Sequence, residues 1–162
     1  MIWLIIVGAV LLFSFSAVLL VGAPYLPTLK PQVEAALRLA DLHKGQTLLE
    51  LGCGDGRVLI AAAQKGLNVV GYELNPFLAL VTYLRTWQYR KQVTVIWGDF
   101  WRKPWPKADA IFVFLLPKYM QKLDTKIMQS TSKPVKLVSF AFQIPNKKFD
   151  ITKHDIYLYK YL

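Results

Sequence analysis

The order of apolar and polar residues separates an apolar beginning from an alternating remainder. Residues 1–22 carry no charged side chain, and as a helix they would extend about 33 Å, enough to cross a bilayer. No Lys or Arg precedes this run, and Pro24 follows its only small-residue stretch, which favours a single-pass anchor over a cleaved signal peptide. Because Lys30 and Arg38 follow the run, the positive-inside rule predicts that the remaining chain faces the cytoplasm.

Three prolines mark the boundary after the predicted anchor. Pro24, Pro27 and Pro31 interrupt any continuous helix, so residues 23–32 are expected to form a short extended linker. Residues 33–162 then form one predicted domain, which begins with a helix and contains no internal repeat.

Within that domain, short apolar strands alternate with segments of helical periodicity. The predicted strands are 47–51, 68–72, 93–97, 110–116 and 135–142, with a closing strand or hairpin over 150–161. Helices are predicted at 57–65, from Pro76 onward and at 119–129. The strand 110–116 is apolar at every position, which is typical of a strand covered on both faces. This alternation predicts an α/β sheet with helices on both sides.

The helix that starts at Pro76 has a predicted buried face. Asn75 suits the N-cap of this helix and Pro76 its first position. The apolar residues at helical spacing that are expected to face the core are Phe77, Leu80, Val81 and Leu84.

Charge adds candidate partners to this picture. The net charge is +10, and four of the ten acidic residues lie in candidate ligand loops, so the outer surface must be strongly basic. Anionic lipid headgroups beside the anchor are the favoured explanation, while an acidic protein or nucleic acid stays open. The single Cys53 agrees with a reducing compartment, and the isolated His43 and His154 give no metal-ligand spacing, so no metal is predicted.

Candidate chemistry lies at three strand ends. Glu50, Glu73 and Asp99 each end a predicted strand, and the carboxyl ends of parallel strands meet at one edge of the sheet, where ligands bind. The loop after Glu50 reads GCGDG, and glycines there permit a tight turn and a close approach of ligand to backbone. The dinucleotide fingerprint G-x-G-x-x-G would need glycine where Arg57 stands.

The acidic residues limit the class of ligand. Glu50 and Asp55 would repel a pyrophosphate, so they suit a cationic ligand. Glu73 could accept both hydroxyls of a ribose, and Asp99 could accept from an exocyclic amine while Phe100 or Leu74 covers the ring. S-adenosylmethionine carries all of these groups.

The stretches LLELGCGDGRVLIAAAQKG, VVGYELNP and GDFW resemble class I S-adenosylmethionine-dependent methyltransferases. More narrowly, PYLPT followed by ELGCGDGRVLIAAA and GYELNPFL resembles the membrane-anchored protein-lysine methyltransferases of the ATP synthase c subunit and the adenine nucleotide translocase. This resemblance covers 24–99. It implies a Rossmann-like class I methyltransferase sheet, mostly parallel with an antiparallel strand at the C-terminal end, behind one transmembrane helix.

The resemblance also implies a cofactor site. Tyr25 and Thr28 would fold over the cofactor, and Asp55 would lie near its ammonium group. Cys53 would be a small filler rather than a nucleophile. The full implied set is Tyr25, Thr28, Glu50, Gly52, Cys53, Gly54, Asp55, Gly56, Glu73, Leu74, Asn75, Asp99 and Phe100.

The acceptor implied by the resemblance is a lysine on a protein at or in the membrane. A lysine must arrive uncharged, which calls for a desolvated channel rather than a dedicated base, so no catalytic base is assigned. Leu116, Pro117 and Tyr119 are the candidate substrate-side residues. They stand where methyltransferases of nucleic-acid amines carry Asp or Asn, two prolines and an aromatic, and the polar residue and second proline are absent.

Two alternatives stay open. Basic and aromatic residues mix over 87–91 and 101–105, as in proteins that bind single-stranded nucleic acid, although such residues also serve as membrane-interface anchors. The acceptor could therefore be RNA or a small molecule. The chain could also be a membrane-tethered module that binds the cofactor without turnover.

Overall fold

The computed structural model describes residues 2–6, 8, 26–131 and 133–161, and residues 2–6 and 8 are helical. Most of the predicted anchor 1–22 and the first part of the predicted linker, including Tyr25, lie outside the described residues. Among the residues that are described, no helix is both long and apolar enough to cross a membrane.

Helices and strands alternate along the described chain, as predicted. The helices are α1 Lys30–Ala40, α2 Arg57–Gln64, α3 Pro76–Arg85 and α4 Pro117–Ser130, with a 3-10 turn at Trp87–Tyr89. The strands are β1 Thr47–Leu51, β2 Asn68–Glu73, β3 Val93–Trp97, β4 Ala110–Val113, β5 Val135–Phe140, β6 Ile151–Lys153 and β7 Ile156–Tyr161.

One seven-stranded sheet organises these elements, in the order β3-β2-β1-β4-β5-β7-β6. Strands β1 to β5 pair in parallel, whereas β7 runs antiparallel to β5 and to β6. The predicted mostly parallel sheet with an antiparallel C-terminal strand is thereby confirmed. The strand order reverses at β1, whose Glu50 pairs with Gly71 on one side and Phe112 on the other.

Two apolar layers cover the two faces of the sheet. Helices α1 and α2 pack on one face, where buried Ala36, Leu59 and Phe112 belong to one cluster. Helix α4 covers the other face through Leu123 and Ile127. Since α2 and α3 follow strands that step in the same direction across the sheet, right-handed crossovers put α3 on the face of α2.

Two of the boundaries that differ from prediction are set by prolines. Helix α1 begins at Lys30, so the end of the predicted linker is helical, because Pro31 fits the first turn of a helix and does not interrupt it. Strand β4 ends at Val113 instead of residue 116, because Pro117 again starts a helix and the chain must turn before it.

The predicted buried face of α3 is wrong for its largest side chains. Phe77, Leu80 and Leu84 are 41%, 54% and 62% exposed, whereas the buried residues are Leu78, Ala79 and Thr82. The hydroxyl of Thr82 donates to the carbonyl of Gly54 at 2.5 Å. Small side chains face inward because α3 lies close against the glycine loop, and the large apolar ones therefore point outward.

Candidate functional site

The loops that follow β1, β2 and β3 are joined by backbone hydrogen bonds at the carboxyl edge of the sheet. The amides of Gly52 and Cys53 donate to the carbonyl of Tyr72 at 2.9 and 2.8 Å, and the amide of Gly98 donates to the carbonyl of Glu73 at 2.8 Å. The structure thus brings the three predicted acidic strand ends to one edge.

Two glycines of the first loop adopt left-handed backbone angles for different reasons. Gly56 has φ +78°, and a Cβ atom built on it would lie 2.7 Å from Cγ2 of Thr82, so α3 leaves no room for a side chain. Gly52 has φ +88°, but apart from its chain neighbours no atom of the described residues lies within 4 Å of a Cβ built there. The backbone at Gly52 therefore borders open space that a ligand could approach.

Glu73 links the first loop to the second. Its Oε2 accepts from the amide of Gly54 and its Oε1 from the amide of Asn75, both at 2.8 Å. Burial raises the pKa of Glu73, and these amide hydrogen bonds offset part of that rise. Each oxygen has a second lone pair, so the carboxylate can accept from a ligand as well.

Asn75 has both a structural group and an unused one. Its Oδ1 accepts from the amides of Phe77 and Leu78 at 2.9 and 3.2 Å and so caps α3. Its Nδ2 is buried and has no hydrogen-bond partner in residues 2–6, 8, 26–131 and 133–161. A buried donor without a partner is costly, so this amide is available to an acceptor on a ligand.

The buried Oε2 atom of Glu50 has no hydrogen-bond partner within the part of the chain that the structure describes. The residue is only 5% exposed, and burial raises the pKa of its carboxyl well above the ordinary value, with the charges of Glu73 and Asp55 adding to the effect. Burying an acid in this way costs free energy unless an opposite charge approaches. The end of β1 is therefore suited to a cationic group.

Asp55 is surrounded by positive charge instead. Nε and Nη2 of Arg57 contact its two oxygens at 2.9 and 3.0 Å, and Nη1 of Arg85 pairs with the same carboxylate. Burial by itself would raise the pKa of Asp55, but hydrogen bonds and charge from the two arginines outweigh it and lower the pKa to about 2. The protein itself neutralises this carboxylate.

Arg57 also holds the segment before α1. Its Nη1 donates to the carbonyl of Thr28 at 3.0 Å, and Thr28 is buried. The structure thus places Thr28 beside the glycine loop. Tyr25, the other residue predicted to cover the cofactor, is outside the described part of the chain.

The third acidic residue lies after β3. Oδ1 of Asp99 accepts from the amide of Trp101 at 2.8 Å, and Nε of Arg102 is 3.6 Å from Oδ2. Phe100 is half-buried beside it, and so is Leu74, whose carbonyl accepts from the indole of Trp97 at 3.1 Å. Carboxylate and half-buried apolar side chains therefore occur together at this strand end.

Cys53 is buried beneath the loop, where its side chain would lie 3.0 Å from a Cβ built on Gly71. Burial raises the pKa of its thiol well above the ordinary value. A thiol that resists ionisation is a poor nucleophile, which fits a filling role.

The predicted substrate-side residues lie at the start of α4. Leu116 precedes the helix and Pro117 begins it. The ring of Tyr119 is 6.1 Å from that of Trp101, and Nζ of Lys118 lies 4.9 Å from the Tyr119 ring. These contacts connect α4 with the loop after β3.

An aromatic cluster at the ends of β4 and β5 was missed by sequence reasoning. Phe114, Phe140 and Phe142 are half-buried, and the ring centroids of Phe140 and Phe142 lie 4.7 and 6.2 Å from that of Phe114. Phe112 of β4 pairs with Glu50, and Val138 of β5 pairs with Phe112, so the cluster lies just beyond strand positions that neighbour Glu50. The adjacency of β4 and β5 was the only signal that could have grouped them.

A cavity of about 230 Å³ lies at the opposite edge of the sheet, lined among others by Thr47, Trp105 and Asp109. The carboxylate of Asp109 accepts from the amide of Thr47 at 2.7 Å and so ties β1 to the start of β4. This cavity contains none of the predicted ligand residues that the structure describes at the carboxyl edge.

Comparison with known proteins identifies relatives of this arrangement. Residues 50–151 match the ANTKMT methyltransferase domain. An ATP synthase c-subunit lysine N-methyltransferase of Homo sapiens is 30% identical over 125 residues, covering 76% of this chain and 53% of that protein. A protein-lysine N-methyltransferase of Saccharolobus islandicus is 28% identical, covering 84% of this chain and 92% of that protein.

A solved structure is also similar. The RNA methyltransferase from Salinibacter ruber in complex with S-adenosyl-L-homocysteine has a TM-score of 0.76 and 29% identity, covering 84% of this chain and 92% of that one. The chain spans about half the length of the ATP synthase c-subunit lysine methyltransferases that it matches. The resemblance inferred from the sequence motifs is confirmed by these matches.

Proposed function

Because the chain belongs to the ANTKMT methyltransferase family, we propose that it is an S-adenosylmethionine-dependent enzyme that methylates lysine on a membrane or membrane-associated protein. The observation that carries the proposal is the buried carboxyl of Glu50 beside a glycine loop, whose Oε2 has no hydrogen-bond partner among the described residues. Glu73 ends β2, which neighbours β1, and Asp99 follows β3, the next strand along the sheet. A cationic nucleoside satisfies the chemistry of all three groups.

The residues present fit this cofactor. Glu73 would accept the ribose hydroxyls, Asp99 the adenine amine, and Leu74 with Phe100 would cover the adenine ring. Glu50 rather than Asp55 would supply the counter-charge for the cationic methionine end, because two arginines already neutralise Asp55. The open space beside Gly52 supports a close approach of that end to the backbone.

When bound, this cofactor supplies an activated methyl group, so the protein has no need to generate a reactive species. The chain's own residues must hold the acceptor amine in line, keep it uncharged and exclude water. Phe114, Phe140 and Phe142 support this role, since their half-buried rings offer apolar walls for the stem of a lysine and desolvation favours its uncharged amine. Leu116, Pro117 and Tyr119 would border the same entrance.

We also propose the membrane arrangement that the sequence favours. Residues 1–22 would span the bilayer, 23–32 would connect, and 33–162 would form a cytoplasmic domain against anionic lipid. The uncharged run of 22 residues and the net charge of +10 support this arrangement. Membrane-bound acceptors are also what the names of the curated relatives indicate for those proteins.

Methylation of RNA is the second candidate, because a similar solved structure is described as an RNA methyltransferase. The aromatic and basic residues over 87–91 and 101–105 are compatible with it. A small-molecule acceptor has no comparable support among the described residues.

One experiment separates these possibilities. The full chain in lipid vesicles is first titrated with S-adenosylmethionine by calorimetry and then incubated with methyl-labelled cofactor and membranes. We expect binding and a label that proteases remove. A nuclease-sensitive or solvent-extractable label would indicate RNA or a small molecule, binding without label would indicate a tethered binding module, and no binding would overturn the proposal.

A further inference from the structure

Helix α3 presents a group of large apolar side chains to the outside. We define the α3 face as Leu80, Tyr83, Leu84 and Trp87, which are 54%, 47%, 62% and 50% exposed. The rings of Tyr83 and Trp87 meet edge to face at 5.4 Å, so they form one surface. Single exposed apolar residues are common on soluble domains, whereas a grouped set of this kind marks an interaction site.

A second apolar pair lies on the other side of the glycine loop. Leu26 and Leu29 are 59% and 61% exposed. The carbonyl between them, that of Thr28, is held by Arg57, which also pairs with Asp55. Asp55 in turn pairs with Arg85 at the end of α3. These contacts put the segment 26–29 and the α3 face on either side of the same loop.

Positive charge borders the α3 face. Residues 74–98 contain Arg85, Arg90 and Lys91 but no acidic residue. The guanidinium of Arg90 lies over the Trp87 ring at 5.2 Å, and Lys91 is exposed. Aromatic rings and aliphatic side chains edged by Arg and Lys are what a protein presents to the interface of an anionic bilayer.

The path of the chain favours a bilayer over a protein partner. The uncharged run 1–22 ends four positions before Leu26, and Leu26 is itself exposed next to the glycine loop. An apolar run that enters a membrane would hold this side of the domain against the lipid surface. A protein that covered the α3 face would need its own acidic rim to match Arg90 and Lys91.

We propose that the α3 face seats the domain on an anionic lipid surface, with Leu84 and Trp87 at the level of the headgroups. Thr82 of α3 donates to the carbonyl of Gly54, and Arg85 pairs with Asp55, so the glycine loop at the ligand edge of the sheet is beside this surface. The docking surface itself is independent of the proposed function, but the part of the inference that concerns the active site rests on that function. It then implies that the acceptor lysine lies in the headgroup region rather than deep in the cytoplasm.

The test uses the full chain reconstituted in vesicles of phosphatidylcholine and phosphatidylserine. A spin label is attached to Leu84→Cys, and to Met128→Cys as the matched control, since Met128 is 60% exposed on α4. Cys53 stays in place because it is buried. We expect dissolved oxygen to enhance the spin relaxation of the label at 84, while a water-soluble nickel chelate does not. The label at 128 should stay accessible to the chelate.

Three results would overturn the docking surface. The first is equal chelate access at both positions, which means a solvated face. The second is a label at 84 shielded from oxygen and chelate alike, which means a protein contact, either a second copy or the chain's own N-terminal residues. The third is unchanged chelate access in vesicles without phosphatidylserine, because the basic rim should then lose its attraction.

Failure of the proposed function gives a different result. If calorimetry on the same unlabelled vesicles detects no cofactor binding while the label at 84 senses lipid, the enzyme proposal fails and the docking surface stands. If the cofactor binds and the label stays solvated, the reverse holds.

Discussion

Glu50 and Asp55 stand at the two ends of one glycine loop, and their surroundings are opposite. The carboxyl of Glu50 is buried with one oxygen unpartnered, whereas Asp55 accepts hydrogen bonds from two arginines. The pKa of Glu50 is raised and that of Asp55 is lowered to about 2. One acidic residue is therefore satisfied by the protein, and the other is left for a ligand.

This difference shows how a binding site can retain a buried carboxyl group that destabilises the fold. Asp55 joins α2 and α3 through Arg57 and Arg85, so its charge stabilises the loop. Glu50 destabilises the fold until a cation arrives, since a buried acid without an opposite charge is unfavourable. We therefore propose that stability and cofactor binding depend on separate carboxylates, so substitutions should separate the two effects.

The largest effect is expected from Glu73→Ala, which removes the carboxylate that links both loops. Loss of the contacts to Gly54 and Asn75 and of the ribose acceptor should weaken cofactor binding by about 100-fold or more. Calorimetry on the full chain measures this. Glu34→Ala is the matched control, because Glu34 is exposed and pairs with Arg38 at the surface of α1. Equal affinities of the two variants would contradict the site.

Glu50→Gln tests the ligand side of the comparison. The neutral amide should lower cofactor affinity by about 10- to 100-fold, because a charge-assisted contact is lost. The free energy of unfolding without cofactor should stay level or rise, because the uncompensated acid is gone. Denaturant titration measures the free energy of unfolding, which should stay level or rise. Calorimetry measures the cofactor affinity, which should fall. A loss of both stability and affinity would show that Glu50 has a structural partner.

Asp55→Asn tests the carboxylate that is paired within the protein, and it should lower stability more than cofactor affinity. Two partly exposed ion pairs are lost, so unfolding stability should fall by about 1 to 2 kcal/mol. Affinity measured well below the unfolding transition should change less than in Glu50→Gln. The same denaturant and calorimetric measurements apply. If Asp55→Asn weakened binding more than Glu50→Gln, Asp55 rather than Glu50 would be the counter-charge.

The two carboxylates should also respond to pH with opposite sign. The folded pKa of Asp55 is lowered from the ordinary 3.8 to about 2, so its stabilisation is complete above 3.8 and is lost as the pH falls towards 2. The folded pKa of Glu50 is raised above 4.5, so stability is lost as the pH rises from 4.5 through that raised value. Measured against pH, the free energy of unfolding of Asp55→Asn should fall less on acidification than that of the unmodified protein. That of Glu50→Gln should fall less as the pH rises above 4.5.

The smallest effect is expected from Cys53→Ser, which leaves both carboxylates in place. A buried thiol with a raised pKa contributes volume rather than reactivity, so cofactor affinity should change by less than about twofold. In the unmodified folded protein a thiol reagent should react slowly, and one thiol should appear on denaturation. Loss of methyl transfer with intact binding would give Cys53 a chemical role.

Sequence patterns predicted the fold well because strands and helices alternate with clear punctuation. Capping preferences make the start of a helix at Asn75 and Pro76 predictable, and turn preferences do the same for the glycine loop. The inward side of α3 was predicted wrongly because this helix is apolar on both sides, so periodicity alone could not choose between Leu80 and Ala79. Only the close approach of Thr82 to Gly54 and Gly56 decides it.

The candidate site was likewise predictable from the sequence in part. The shared edge of Glu50, Glu73 and Asp99 follows from parallel strand order, which sequence reasoning can supply. The partners of Asp55 could not be predicted, since Arg85 is thirty positions away and its contact depends on how α3 packs. The aromatic cluster around Phe114 likewise requires the pairing of β4 with β5.

Arg57 has a further consequence through its position between the chain's beginning and the glycine loop. Its guanidinium contacts the carbonyl of Thr28 and the carboxylate of Asp55 at once. A ligand that orders the loop therefore also orders the segment 26–29, and thermodynamic linkage makes such coupling reciprocal. The free energy by which the cofactor fixes this segment is equal to that by which a fixed segment tightens the cofactor. Through this one side chain, the position of residues 26–29 and the occupancy of the proposed pocket would be thermodynamically coupled.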